Sequence, residues 1–259
     1  MCFIGHGVFG VITKPIWCNY FAVFGIGHDT AYFLMPIVGT IDILMGLSLL
    51  IYPVRAIPAW LIGWGLVTAS LRPLSGEPFA ELIERAGNFG APLALLLLVG
   101  WRSIGGSAGN GRGSGDKSLW GWFARIEPDA QPEQKVLDRV GWCLRIVVFL
   151  VLLGHGWLNL LGKKGLLGQY EGLGFPDPAR TALIAGIFEI AAALAVLIRP
   201  SRPLLLILFI WKMGTELFYP HYEVFEWIER GGSYGSLLAL WMLSGEKNAE
   251  LIKKTSYIV

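Results

Sequence analysis

Four ionisable side chains stand inside apolar runs of the C-terminal half: His155, Glu189, Lys212 and Glu216. A charged group at the centre of a membrane span costs roughly 2.5–3.5 kcal/mol on insertion scales, so such residues mark either pairing or function. Glu189 lies 11 residues before Pro200, and Lys212 lies 12 after it. In a helical hairpin that turns at Pro200, both sit ~17 Å from the turn and can face each other. Glu216 is one turn beyond Lys212, on the same helix face. Two chemistries fit this cluster. One is a buried ion pair that fixes the hairpin. The other is a proton or anion site, or a contact for a quinone headgroup. There, His155 and Glu189 exchange protons and Lys212 orients a carboxylate or a carbonyl oxygen.

His155 lies between two glycines, and the same tripeptide occurs at Gly5-His6-Gly7. Glycine has no Cβ, so a helix or a flat ring can come close on either side. Three roles compete for these histidines: a packed, hydrogen-bonded His; a proton-handling or quinone-binding His; and an axial ligand to haem or chlorophyll. The last has no C-x-x-C-H beside it. Trp211 and Arg230 join His6 and His155 as the candidate cofactor contacts. Glu-Arg-x-Gly recurs at Glu84-Arg85 and Glu229-Arg230, and Arg230 is four residues from Glu226. On the histidine side of the membrane these charges form either a solvated rim or a shared outer pocket. Tyr219, His221, Tyr222 and Tyr234 would ring that pocket, or belong to an aromatic belt. No nucleotide-binding loop or dense metal-ligand cluster appears, and no metal site is expected.

Helices must position these residues. Of 259 residues, 54% are apolar and only 15% are charged, against about 25% charged in ordinary soluble domains. Residues 140–161, 181–198 and 204–219 are apolar runs of about membrane-spanning length. The fold class is all-α, a polytopic membrane protein. A net charge of +2 gives no reason to expect nucleic acid. Three scattered cysteines without a C-x-x-C pair argue against a dithiol relay within this chain. No basic segment precedes the first apolar stretch, so no cleavable signal is expected.

The two halves align. At an offset of 149 residues His155 falls on His6 and Lys163 on Lys14. At 147, Glu189 meets Asp42, Pro200 meets Pro53, Arg202 meets Arg55, Trp211 meets Trp64 and Thr215 meets Thr68. At 145, WIERGGSYGSLLAL lies over LIERAGNFGAPLAL. Each copy reads as four helices. The second copy has them near 138–161, 180–198, 202–219 and 226–244; the first has its last three near 32–52, 57–72 and 83–101. The expected organisation is a first repeat over 1–102, a Gly-rich linker with an interfacial segment over 103–137, a second repeat over 138–246 and a tail over 247–259. The repeats are parallel, with seven full spans and a shortened first helix. A late start codon, or a lipid or partner filling the gap, would account for that short helix. Lys and Arg concentrate at the linker, the Arg55 and Arg199–Arg202 turns and the C-terminus. That end is therefore expected to be cytoplasmic, in a bacterial-type inner membrane. At the positions matching Lys212 and Glu216 the first copy has Gly65 and Ala69. Asp42 then needs another partner, such as Thr68, or stays protonated.

Arg145, His155-Gly156, Lys163, Glu189 and the Arg199–Arg202 turn together resemble the DoxX-like family of four-helix membrane proteins. The likeness covers nearly all of the second copy and the first from His6 onward, with Asp42 for Glu189 and no counterpart to Arg145. It implies the four-helix unit and a link to thiosulfate:quinone oxidoreduction, thiol redox homeostasis or accessory roles in larger assemblies. The expected function is a subunit of a redox or electron-transfer assembly, with lipid and protein partners and quinone as the foremost cofactor. The alternatives are a non-catalytic scaffold, a pigment- or haem-bearing accessory subunit, and a small-solute transporter.

Overall fold

The computed structural model describes residues 1–100, 119–127, 132–220 and 224–256. Most of the Gly/Ser run between the halves, with His221 and Tyr222, lies outside the described residues. The first half contains α1 (Cys2–Val11), α2 (Trp17–Ala22), α3 (His28–Ile51), α4 (Ala56–Leu74), α5 (Ala80–Glu84) and α6 (Ala86–Val99). The second contains α7 (Gln134–Leu160), α8 (Lys164–Gly172), α9 (Pro178–Ile198), α10 (Arg202–Leu217), α11 (Val224–Glu229) and α12 (Gly231–Ser256). Among the described residues there is no strand, only one isolated backbone bridge between Val54 and Arg125.

Among the described residues, three helical stretches are long and apolar enough to cross a membrane: His28–Ile51, Ala80–Val99 and Pro178–Ile198. Their outward faces are apolar too. Phe33, Leu50 and Ile51 of α3 and Ile184, Ile187 and Ile198 of α9 are all exposed. A helix that is apolar on its exposed side as well as its packed side belongs in lipid.

Among the described residues, each half shows six α-helices where four were expected. The expected fourth helix is broken in both halves, at Arg85 and at Arg230. At Arg85 the backbone leaves helical geometry (φ −87°, ψ 13°). The break lets consecutive Glu and Arg side chains reach different partners. The last helix also runs on to Ser256 rather than stopping near residue 244. The additional helices are short: α2 has six residues, and α8 has nine, rich in glycine and polar residues, so no apolar run of spanning length announced them.

The glycine–histidine–glycine motif explains how the bundle closes. Gly7 and Gly10 of α1 lie against Gly39 of α3; a Cβ on Gly10 would come within 2.7 Å of the Gly39 Cα. Gly156 of α7 lies against Gly186 of α9, where a Cβ on either would meet the other's carbonyl oxygen at 2.8–2.9 Å. The preceding glycines face the opposite half. A Cβ on Gly5 would strike the backbone of Glu229, and one on Gly154 would strike the backbone of Glu84. Gly87 and Gly232 meet backbone to backbone where α6 crosses α12.

At the other end, arginines complete the helix termini. The Arg55 Nε and an NH2 group donate to the carbonyls of Gly100 and Val99, each at 3.2 Å. Arg145 donates to the Val196 carbonyl at 3.0 Å and to that of Ile198. Unsatisfied carbonyls at a helix end need such donors. The backbone N–H of Ile126 donates to Pro53 at 2.7 Å. One 3₁₀ turn, Leu119–Trp122, stands just before this contact.

Candidate functional site

The Pro200 hairpin does bring the expected side chains together. Lys212 Nζ lies 2.6 Å from Glu216 Oε1 and 3.8 Å from Glu189 Oε1. His155 Nδ1 lies 2.5 Å from Glu189 Oε2. The Trp211 indole N–H donates to Glu189 Oε1 at 3.0 Å. All four ionisable groups are buried, and Lys212 and Glu189 are wholly so.

The cluster continues across the boundary between the halves. Arg230 donates to Glu216 Oε2 at 3.0 Å and to Glu84 Oε1 at 2.7 Å. Its Nε is 3.8 Å from Glu226. Arg85 binds Glu84 at 3.0 Å and Glu81 at 2.6 Å. Lys163 of the second half reaches Glu81 of the first at 2.7 Å. Lys14 of the first half pairs with Glu226 of the second. Cations and carboxylates alternate along this chain, which is how buried charges must be arranged to be tolerated. Tyr219 places its ring 4.2 Å from the Arg230 guanidinium carbon, while Tyr234 donates to the Trp227 carbonyl instead.

Glu84, His155 and Glu216 each offer a ligand atom, all within 4.8 Å of one another. Arg230 and Lys212 already occupy the carboxylates there, so two fixed cations stand where a metal ion would have to enter. The space beside Glu84, Glu216 and Arg230 is about 20 Å³, room for a single water.

Several members of this network carried no sequence signal or only a faint one. The Asn159 side-chain amide donates to the His155 backbone carbonyl at 3.1 Å, and the Tyr170 hydroxyl donates to Asn159 Oδ1 at 2.7 Å. Asn159 follows His155 by four residues, a spacing that could have drawn notice. Burial, and then the nearby Glu189 charge, push the Tyr170 phenol above its usual range, so it remains a donor. Gln169 donates to the Thr215 carbonyl at 2.8 Å and ties α8 to α10.

The first half is built differently. His6 Nδ1 lies 2.7 Å from Asp42 Oδ2. His6 is therefore the partner that Asp42 needed; the Thr68 hydroxyl donates to its own helix at the Gly65 carbonyl. The other Asp42 oxygen, Oδ1, and the Trp64 indole N–H are buried without a partner. A cavity of about 100 Å³ opens here. Trp17, Tyr20, Phe21 and Trp64 form its aromatic walls, and His6 and Asn88 line its polar side. The His6 and Trp17 rings are 4.6 Å apart. Tyr20 donates to Glu77 at 2.6 Å. Burial, against the pull of Arg72 and with help from that hydrogen bond, holds the Tyr20 phenol above its ordinary range.

Residues 142–219 match the DoxX family model. The chain is 28% identical over 99 residues to the Inner membrane protein YphA of Escherichia coli strain K12; the match covers 38% of this chain and 68% of that protein. No solved structure matches. His155, Glu189, Lys212 and Glu216 all fall inside the family match, whereas His6, Asp42 and the cavity beside them fall outside it. The chain is a membrane protein that is similar to the DoxX family over residues 142–219.

Proposed function

We propose that this protein is a subunit of a membrane redox or electron-transfer assembly, built from two tandem DoxX-like copies, which hands protons to a quinone partner. The observation that carries this is the buried His155–Glu189 pair at the head of a continuous chain of charged side chains. Histidine is the side chain that changes charge near neutral pH. Held against a carboxylate inside a bilayer, it can take up and release a proton with small movement of heavy atoms. The space beside Glu216 is only about 20 Å³, so at that end the residues act behind a quinone, as proton carriers, rather than around its headgroup. Arg55, Arg145, Arg199 and Arg202 mark the linker end. Their charge supports a cytoplasmic linker and C-terminus in an inner-type membrane.

The test is purification from native membranes in mild detergent, with quinone and protein analysis of what accompanies the chain. Co-purified quinone and partner subunits are expected. In the reconstituted assembly, His155→Gln and Glu189→Gln should each slow quinone-linked proton uptake by about 100-fold, the low end for loss of a positioned proton-transfer group. A lone monodisperse chain without quinone, or variants that leave proton uptake unchanged, would defeat the proposal.

A non-catalytic scaffold is the second reading, and the tight packing of the cluster favours it: an ion pair that only fixes a hairpin needs no open space. The double variant Lys212→Met/Glu216→Gln separates the two. Full assembly with unchanged proton uptake supports the scaffold.

A further inference from the structure

The linker end of the second half gathers positive charge that no carboxylate takes up. Arg145 of α7, Arg199 in the turn between α9 and α10, and Arg202 at the start of α10 all line one open cavity of about 570 Å³. That size falls among small-molecule pockets, which span about 300–1,000 Å³. Arg145 spends its Nε and Nη2 on the carbonyls of Val196 and Ile198, at the end of α9. Its Nη1 has no protein partner among the described residues. Arg202 lies 4.8 Å from the centroid of the Trp241 ring. It also lies against Gly245, where an added Cβ would come 2.9 Å from its Cζ. Both contacts hold the guanidinium without neutralising it. Arg199 is exposed. Among the described residues, none of the three is ion-paired with a carboxylate. The cations at the histidine end differ: Lys212, Arg85 and Arg230 each hold at least one.

Asp138 is the single carboxylate of the lining, and it accepts a hydrogen bond from Gln134 at 3.2 Å. Three cations against one anion leave the cavity positive. Helix α10 also starts here, and the Ser201 side chain does not cap it. Its first N–H groups and the positive end of its dipole add to the same field. Guanidinium groups and a helix start together suit an anion with several oxygens, above all a phosphate.

Depth decides what carries the phosphate. Helix α9 is long and apolar enough to cross a membrane, its last residue Ile198 is exposed, and Arg199 follows directly. The cavity therefore sits at the level of lipid headgroups. Its remaining walls include Trp142, Leu240 and Leu243. Trp142 is 56% exposed, as an indole at the membrane interface is. A small soluble anion would leave these apolar walls uncovered, whereas the glycerol and first acyl carbons of a lipid would cover them. Basic pockets between membrane helices suit anionic headgroups.

We infer that this cavity binds an anionic phospholipid, its phosphate held by Arg145, Arg199 and Arg202 and its glycerol and upper chains laid against Trp142 and Leu243. The site does not depend on the quinone proposal, because it shares no residue with the cluster of His155, Glu189, Lys212 and Glu216.

The test is native mass spectrometry of the full chain, delipidated in detergent and titrated with dioleoyl phosphatidylglycerol or dioleoyl phosphatidylcholine. Saturable retention of phosphatidylglycerol is expected, with phosphatidylcholine about tenfold weaker. Arg199→Gln and Arg202→Gln should each weaken phosphatidylglycerol about fivefold, the effect of one basic side chain at an anionic lipid surface. Arg139→Gln removes the same charge from an exposed position of α7 outside the lining and should change nothing. Glycerol phosphate, which lacks acyl chains, should not displace the lipid. Equal retention of the two lipids, unchanged affinity in Arg199→Gln, or an equal loss in Arg139→Gln overturns the inference. Displacement by glycerol phosphate overturns it too, by assigning the cavity to a soluble phosphate ester. If Arg202→Gln does not yield folded protein, Arg199→Gln alone decides.

Discussion

Lys212 shows what a single buried charge demands. Its ammonium group has Glu216 one turn away and Glu189 across the hairpin, and no exposure to solvent. Replacing it with methionine leaves those carboxylates short of a cation. Breaking a buried pair from one side costs about 3–5 kcal/mol. Lys212→Met should therefore lower the thermal unfolding midpoint in detergent sharply. The Lys212→Met/Glu216→Gln double variant should recover at least part of the loss, because Arg230 keeps Glu84 as its remaining partner. A double variant less stable than the single one would contradict this account. The meeting of Glu189, Lys212 and Glu216 was legible from spacing around Pro200. The pairing of His6 with Asp42 was not, because the depth of a histidine near a chain end depends on which way its helix enters the bundle.

Two of the glycines of helix α7 have separate duties. Gly156 lets α9 approach, and Gly154 lets the backbone of Glu84 in the other half approach. Gly154→Val should cost at least the roughly 1–3 kcal/mol of an overpacked core, since the obstacle is backbone rather than a movable side chain. Gly168 of α8 has nothing within 4 Å of the position a Cβ would take. Gly168→Ala should raise stability by up to about 1 kcal/mol through helix propensity alone. Thermal unfolding of both variants would expose an error in either assignment. The long apolar helices were legible because composition and length announce them. The breaks at Arg85 and Arg230 were less so: glycines follow both arginines, but a glycine alone does not fix a break, and the pairings of Arg230 there with Glu84 and Glu216 are tertiary.

The molecule is held as a unit by contacts exchanged between its halves. Lys163 enters the first half to meet Glu81, Lys14 enters the second to meet Glu226, and Arg230 joins Glu84 to Glu216. A half alone would lose one cation from each of Glu81, Glu84 and Glu226, which the other half supplies. Expressed separately, residues 1–102 and 103–259 should each fail to give folded protein; co-expressed, they should co-purify in detergent. A stable first half by itself would overturn this. The recurrence of Glu-Arg-x-Gly was visible in the sequence. That its charges reach across the middle of the molecule was not, since no spacing within one half encodes a partner in the other.

Helix α10 has a consequence for synthesis. It carries Lys212 and Glu216, and the second cation on Glu216 comes from Arg230, beyond its own end. As the chain inserts, α10 reaches the membrane ahead of Arg230, which lies beyond its end. Its own lysine–glutamate pair offsets part of the insertion cost, and α9 supplies Glu189 and the Trp211 contact from the residues just before. The remaining deficit is met only when α11 and the start of α12 arrive. A hairpin of α9 and α10 is therefore complete in charge only once the segment carrying Arg230 has joined it.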